Sequence, residues 1–276
     1  MPELPEVETV KKTLNKIILG KTIKDVTVYW ENIIQYPKEV EAFSAELIDQ
    51  TIYEVGRKGK FLIFNLDHHV LISHLRMEGK YAVHQQHDEI EPHTHVIFHF
   101  TDGSELRYKD VRKFGTMHLY EKGREFSLPP LNKLGPEPFE ERFSPEYLHD
   151  RFQKTTRVIK NVLLDQSVVT GLGNIYVDEA LFRSGIHPLR PARQLTRREC
   201  EKLATEIVQT LQDAIDAGGT TIRSYLNSLG EIGMFQLQLF VYGRKGEECK
   251  KCQSLIEKIK VGGRGTHLCP HCQKLH

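Results

Sequence analysis

A chain of 276 residues, 39% hydrophobic and 27% charged, is long enough for two cored domains and a smaller appended unit. Its first twenty residues are charged and no apolar run approaches the length of a membrane span, which argues against an exported or membrane-embedded protein. The net charge of +1 carries no signal for the chain as a whole, so any charged partner must be sought in a local bias.

In chain order, the sequence opens Met1-Pro2-Glu3-Leu4-Pro5-Glu6-Val7-Glu8 and then predicts an amphipathic helix over 5–19. Val7, Val10, Leu14, Ile17 and Ile18 recur at helical spacing, and Gly20 supplies the stop. Strand-like segments follow to about residue 120: Thr22–Trp30, Lys60–Leu66, His69–Leu75, Thr94–Phe100 and Glu105–Lys109, rich in Val, Ile, Phe and Tyr. Thr101-Asp102-Gly103-Ser104 supplies turn chemistry before the last of them. These segments predict a β-sandwich or barrel packed with one N-terminal helix. From Phe126 to Pro138, prolines and glycine exclude a helix or central strand and mark an interdomain linker.

Beyond the linker the pattern is helical. Ser144-Pro145-Glu146 starts one helix, and Thr196-Arg197-Arg198-Glu199 is a capping box opening another. The latter carries Leu203, Ile207, Leu211 and Ile215 along its buried face and stops at Gly218-Gly219. Between them, Gly171-Leu172-Gly173-Asn174 turns into a helix beginning near Asn174. Free N–H groups at such a start attract a phosphate, although a structural turn explains these residues equally well when they are taken alone. No periodicity runs through Gly219 to Gln236, and no internal repeat or low-complexity segment appears.

Four of the five cysteines form Cys249-x2-Cys252 and Cys269-x2-Cys272, separated by sixteen residues that suit a hairpin. Two such knuckles close a tetrahedron around zinc and leave no open position, so the metal reads as structural. A pair of disulfides is the competing reading, opposed by the charged N-terminus. Cys200, alone in a helical stretch, reads as a buried thiol. From residue 242 on, Arg244, Lys245, Lys250, Lys251, Lys258, Lys260, Arg264 and Lys274 face only Glu247, Glu248 and Glu257. A basic zinc module is the footprint of a phosphate-backbone binder, and a merely solvated lysine-rich surface is the alternative.

Removal of Met1 turns Pro2 into a secondary amine beside a carboxylate. An α-amino group has a pKa of roughly 8 against roughly 10.4 for lysine, so part of it is neutral at pH 7 and able to attack a sugar carbon. A prolyl amine passes directly to an iminium, an electron sink for elimination. The same residues also suit a plain helix start, since Pro fits the first turn and Glu3, Glu6 and Glu8 fit its positive end.

Taken together, Pro2-Glu3-Leu4-Pro5-Glu6-Val7-Glu8, Gly171-Leu172-Gly173-Asn174-Ile175-Tyr176 and the four-cysteine finger resemble, in the same order and over essentially the whole chain, the formamidopyrimidine-DNA glycosylases. The resemblance implies an α+β multi-domain fold: an N-terminal two-sheet β-sandwich with a long helix over 1–135, a helix-two-turns-helix domain over 136–240, and a zinc-finger hairpin over 241–276. It implies a base-excision repair enzyme that removes 8-oxoguanine and formamidopyrimidines from duplex DNA and cleaves the abasic site by β,δ-elimination. One structural zinc, no catalytic metal, monomeric action and a bacterial cytoplasmic location at the nucleoid are implied with it.

The same resemblance assigns roles to matching positions. Pro2 attacks C1′ and Glu3 transfers protons. Lys60, in Gly59-Lys60-Phe61-Leu62, contacts phosphate and serves β-elimination, while Arg264, in Gly262-Gly263-Arg264-Gly265-Thr266, holds the phosphates flanking the lesion. Met77, Arg112 and Phe114 fill the space left by the extruded nucleotide, although by residue type alone Met77 and Phe114 belong in a core. His74, His93, Lys154, Asn174 and Tyr242 contact the DNA backbone, and Cys249, Cys252, Cys269 and Cys272 bind the zinc. The pair His93 and His95 lacks a third metal ligand. A recognition loop near 219–238 is expected to be disordered without DNA; where the family has Gly-x-Pro-Gly this chain has Gly230-Glu231-Ile232-Gly233, a turn less pre-set by the missing proline.

Other classes stay in view. The sister branch, endonuclease VIII, prefers oxidised pyrimidines, begins Pro-Glu-Gly-Pro-Glu and lacks the Arg-Phe wedge, so Leu4, Arg112 and Phe114 oppose it. A non-enzymatic zinc-finger DNA-binding protein would use Pro2 only to start a helix. A tautomerase with proline as base leaves the finger and Asn174 unexplained.

Overall fold

In the computed structural model, which describes residues 1–220 and 234–275, helix α1 spans Leu4–Ile17 with Glu3 as its N-cap. Prolines are tolerated in this first turn because its amides have no intrahelical acceptor. After α1 come β1 (Ile23–Val28), β2 (Ile34–Tyr36), helix α2 (Val40–Leu47), β3 (Glu54–Lys58), β4 (Phe61–Asn65), β5 (His69–His74), β6 (Lys80–Gln85), β7 (Thr94–Phe100), β8 (Ser104–Lys109) and β9 (Thr116–Glu121). They form one sheet of order β1-β7-β8-β6 and another of order β2-β9-β5-β4-β3. Every pairing is antiparallel except β2 with β9.

The two inner faces share one core. Leu62, Phe64 and Leu71 from one sheet meet Val96, Phe98, Leu106 and Tyr108 from the other, and α1 adds Val7, Val10 and Leu14. Helix α1 lies against β3 and β4. Asn15 seals the β3 edge as a further strand would: its Nδ2 donates to Val55 O at 2.7 Å and its Oδ1 accepts from Val55 N at 2.9 Å. This covers a backbone row that would otherwise invite intermolecular pairing. The sandwich belongs to the first of two units, Met1–Asn132 with Gly218–Gly233.

The second unit, Lys133–Ala217 with Met234–His276, contains α3 (Pro145–Gln153), α4 (Ile159–Leu163), α5 (Asn174–Ser184), α6 (Arg197–Asp216) and the hairpin β10 (Glu257–Val261) with β11 (Arg264–Leu268). The capping box of α6 is formed, with Glu199 N donating to Thr196 Oγ1 at 3.3 Å and Thr196 N to Glu199 Oε2 at 2.8 Å. Leu203, Ile207 and Leu211 are buried along α6, which packs on α3 and α5. Phe182, Val241, Cys249, Ile256 and Cys269 form a separate small core under the finger. Among the described residues no helix is long and apolar enough to cross a membrane.

Candidate active site

At the chain start, Glu3 N donates to Glu6 Oε2 at 2.9 Å, and Glu6 Oε1 accepts from Thr220 N at 2.8 Å and Thr220 Oγ1 at 3.0 Å. Pro2, Glu3 and Glu6 are all buried. Glu6 therefore ties the amide next to Pro2 to the segment leaving α6. Gly219 allows the approach: its φ is +81°, and a Cβ there would lie 3.0 Å from Glu6 Oε1. Sequence reading misses this role of Glu6, whose only signal is its spacing three residues after Glu3. Of the recognition loop expected near 219–238, residues 221–233 lie outside the described residues, whereas at its far end Phe235–Gln238 form a turn of 3-10 helix rather than a disordered segment, because the Phe235 ring is buried beside Tyr176.

Lys60 sits in the two-residue turn between β3 and β4, where Lys58 pairs with Phe61 and Gly59 takes φ +59°. Primed hairpin turns require such a glycine. Arg57 anchors the turn to α1, donating to Glu8 Oε2 at 2.8 Å and Gly59 O at 3.0 Å. Burial pushes the Glu8 carboxyl up, but the bonds from Arg57 and Lys11 outweigh it and hold the group below the usual range. Lys60 is only 6% exposed, unlike an ordinary solvated lysine.

His74 ends β5 and meets the Phe61 ring edge-on at 4.5 Å. Burial, followed by the charges of Arg76 and Lys60, pushes its ring down to about 3. Its Nδ1 accepts from Arg76 N at 2.9 Å, so the neutral ring keeps its proton on Nε2 and offers an uncharged donor. Burial and Arg76 likewise push His118 down to about 4. In the unfolded chain both rings bind protons from about pH 6.5 downward, whereas in the folded chain they resist until much lower pH, so stability falls as pH is lowered through that window. His74 alone should cost on the order of 3 kcal/mol by pH 4. Urea midpoints at pH 7 and 4.5 check this: His74→Gln should flatten the acid loss, and an unchanged loss would contradict it.

Met77 and Phe114 are 39% and 51% exposed, so neither is a core residue. The Arg112 guanidinium lies over the Phe114 ring at 4.9 Å. His93 is exposed on left-handed backbone with φ +68°. His95 is buried and its Nε2 bonds Asp110 O at 2.8 Å, which commits that nitrogen to the backbone rather than to a metal.

In the second unit, Gln166 shapes the turn before α5 by accepting from Gly171 N at 2.9 Å and donating to Leu172 O at 2.8 Å. Asn174 then begins α5, and its Nδ2 donates to Gly265 O at 2.9 Å, which brings it to the residue after Arg264. Gly262 and Gly263 form the hairpin tip with φ +55° and +79°, both positive as a type I′ turn demands. Arg264 is exposed beside them.

Beneath the hairpin, buried Lys160 donates to Asp178 Oδ1 at 2.6 Å and Thr266 Oγ1 at 2.7 Å, and Asp178 Oδ2 accepts from His267 N at 2.8 Å. Tyr242 packs edge-on to His267 at 4.9 Å. The amides of Phe240, Val241 and Tyr242 donate to Glu179 at 2.8, 2.9 and 2.9 Å; burial nevertheless pushes this carboxyl up. Nothing in the sequence singles out Lys160, Asp178 and Glu179, because charges in a helical stretch look solvated. Lys154 stands apart, exposed at the end of α3.

The four cysteine sulfurs lie within 4.8 Å of one another, with Cys249 to Cys272 at 3.9 Å and Cys252 to Cys269 at 3.5 Å. A zinc–sulfur bond of about 2.3 Å gives a tetrahedron with edges of about 3.8 Å, so the set fits zinc. The amides of Lys251 and Cys272 approach Cys249 and Cys269 Sγ at 3.4 Å each, which favours thiolates. Zinc held there supplies a cross-link and no open coordination position. This is the one potential metal-binding group of at least three His, Cys, Asp or Glu found among the described residues.

Family models match in three consecutive blocks: the formamidopyrimidine-DNA glycosylase N-terminal domain over residues 1–117, its H2TH domain over 134–225, and the zinc finger found in FPG and IleRS over 246–275. The chain is 61% identical to the formamidopyrimidine-DNA glycosylase of Bacillus licheniformis, over 99% of this chain and 100% of that protein. Against the Bacillus subtilis protein of the same name the identity is 60%, over 99% of each chain. It is also similar to the solved complex between Lactococcus lactis Fpg and an abasic-site-containing DNA, with a TM-score of 0.93 and 43% identity over 99% of this chain and 100% of that one. With matches spread over its full length, the chain belongs to the formamidopyrimidine-DNA glycosylase family.

Proposed function

We propose that this chain excises 8-oxoguanine and formamidopyrimidines from duplex DNA and then cleaves the strand at the resulting abasic site. The observation that carries this reading is Pro2 set directly before the buried carboxylate Glu3 at the start of α1. With Met1 removed, the Pro2 nitrogen attacks C1′ as the base departs, and opening of the sugar ring leaves an iminium. Glu3 moves protons in these steps, as a carboxyl shielded from water is suited to do. The iminium withdraws electrons, so loss of a C2′ proton expels the 3′ phosphate. Loss of a C4′ proton then expels the 5′ phosphate, and water releases the amine.

Lys60, the neutral donor His74 and His93 contact phosphate in the first unit. Asn174, Tyr242, Lys154 and Arg264 contact phosphates in the second. Met77, Arg112 and Phe114 occupy the emptied stack, with Arg112 facing the estranged cytosine. The family-model ranges support a division into 1–135, 136–240 and 241–276. The protein acts as a monomer on DNA carrying oxidised bases or abasic sites, the latter being what the Lactococcus relative was crystallised with.

The test is a panel of duplexes carrying 8-oxoguanine, a formamidopyrimidine or an oxidised pyrimidine. Purine lesions should be cut fastest, leaving a gap with phosphate at both ends. Faster excision of the pyrimidine would transfer the chain to the endonuclease VIII type of specificity. Arg264→Ala should weaken binding at low salt and reduce the slope of log affinity against log salt by about 0.9 for each phosphate that the guanidinium neutralises. An unchanged slope, read from titrations at several salt concentrations, would remove Arg264 from the phosphate-binding residues.

A further inference from the structure

We propose that Asp110 is the positioning residue that holds Arg112 and Phe114 ready for insertion before DNA is met; this rests on the wedge reading of Met77, Arg112 and Phe114 given above. Asp110 is 0% exposed, although Val111, Arg112, Lys113 and Phe114 after it are all exposed. Each amide from Arg112 to Gly115 ends on this one residue. Arg112 N donates to Oδ1 at 3.0 Å, Lys113 N to the carbonyl oxygen at 3.2 Å, and Phe114 N and Gly115 N to Oδ2 at 2.9 and 2.8 Å. Asp110 is itself fixed from the β7 side, its amide donating to His93 O at 3.0 Å and its carbonyl oxygen bonded by His95 Nε2 at 2.8 Å.

Two further contacts hold the same turn. Lys113 takes φ +59°, and its Nζ lies 4.1 Å over the Trp30 ring, so the residue between Arg112 and Phe114 is drawn back while its neighbours project. The buried Tyr108 hydroxyl fills the space that a Cβ would need at Gly115 and at Gly79. Gly79 closes the turn that carries Met77, its amide donating to Leu75 O at 2.9 Å. The Met77 turn and the Phe114 turn therefore share one rigid seat. A wedge ordered in advance avoids the entropic cost of ordering it at the moment of insertion.

Asp110→Asn keeps the shape but replaces one acceptor oxygen by an NH2 group that repels the amides. The test compares two substrates. Excision from an 8-oxoguanine–cytosine duplex should fall by roughly 10- to 100-fold, and the fluorescence rise of 2-aminopurine next to the lesion should slow in parallel. Borohydride trapping on a single-stranded abasic oligonucleotide, where no stack is entered, should stay within about two-fold. Lys113→Ala, at an exposed position, should show a few-fold loss in the same duplex readouts and carries the test alone if Asp110→Asn does not fold. Unchanged 2-aminopurine kinetics in the folded variants, or equal losses on duplex and single strand, would overturn the proposal. Absence of trapping by the unmodified protein would instead overturn the Pro2 chemistry, leaving Asp110 to be decided by the 2-aminopurine response.

Discussion

A preparation that retains Met1 should neither release base nor form a trapped adduct, because its proline nitrogen is then a tertiary amide with no lone pair to give. Pro2→Gly should keep a reduced activity. Glycine still presents an α-amino group with a pKa of roughly 8, but as a primary amine it reaches a neutral imine that must be reprotonated to act as an electron sink. We expect excision lower by roughly 10²-fold, the size typical of losing one well-placed proton-transfer advantage. Quantitative trapping kinetics on an abasic duplex, with the N-terminus of each preparation verified by mass, check both expectations. An active protein that demonstrably carries Met1 would contradict the mechanism.

Removing zinc should be the second large effect. Structural zinc contributes on the order of 10–16 kcal/mol to folding of small cysteine modules, and the core under the finger is short, with two of its residues, Cys249 and Cys269, being ligands themselves. Chelation or Cys249→Ser should melt the β10–β11 hairpin, release Arg264 and Gly265, and deprive Lys160 of its bond to Thr266. A buried charge deprived of one of its partners adds to the damage. DNA affinity should fall by about 10²-fold or more, the size expected when several phosphates are no longer neutralised. The first unit should stay folded, and the single tryptophan of the chain, Trp30, reports on that unit alone. Its emission should remain unchanged while binding is lost; binding that persists after demonstrated zinc loss would make the finger peripheral.

The strands legible in the sequence are those buried on one or both faces. β1, β4, β5 and β7 carry enough Val, Ile, Leu and Phe to stand out, and β8 is marked by the Asp102-Gly103 turn before it and the alternation of Leu106 and Tyr108. β3 does not, because Glu54-Val55-Gly56-Arg57-Lys58 is an edge strand with one deeply buried apolar side chain, Val55, and its outer edge is sealed by Asn15. β6 is the edge of the other sheet, and β2 is three residues long. In β9 only Met117 and Leu119 alternate before Tyr120, a signal too short to stand out beside its neighbours.

At the site, the cysteine spacing is legible because tetrahedral thiolate binding demands it, and the glycine tip because two consecutive positive φ angles do. Glu6, Asp110, Lys160 and Asp178 are not. Glu6, Lys160 and Asp178 are charged residues with partners far along the chain, Thr220, Thr266 and His267, while the Asp110 carboxylate collects the amides of Arg112, Phe114 and Gly115 in its own exposed turn. No local pattern separates a buried carboxylate that collects backbone amides from a solvated one. Met77 and Phe114 are ambiguous for the converse reason, since residue type favours burial and only the turns on which they sit expose them.

Covalent joining of Pro2 to deoxyribose is the central step of the proposed mechanism. Borohydride reduction in the presence of a duplex bearing 8-oxoguanine or an abasic site, followed by proteolysis and mass mapping, tests it directly. A sugar-derived adduct is expected on an N-terminal peptide that begins at Pro2. A protein that cleaves the duplex yet carries no adduct there, or carries it on Lys60, would contradict it.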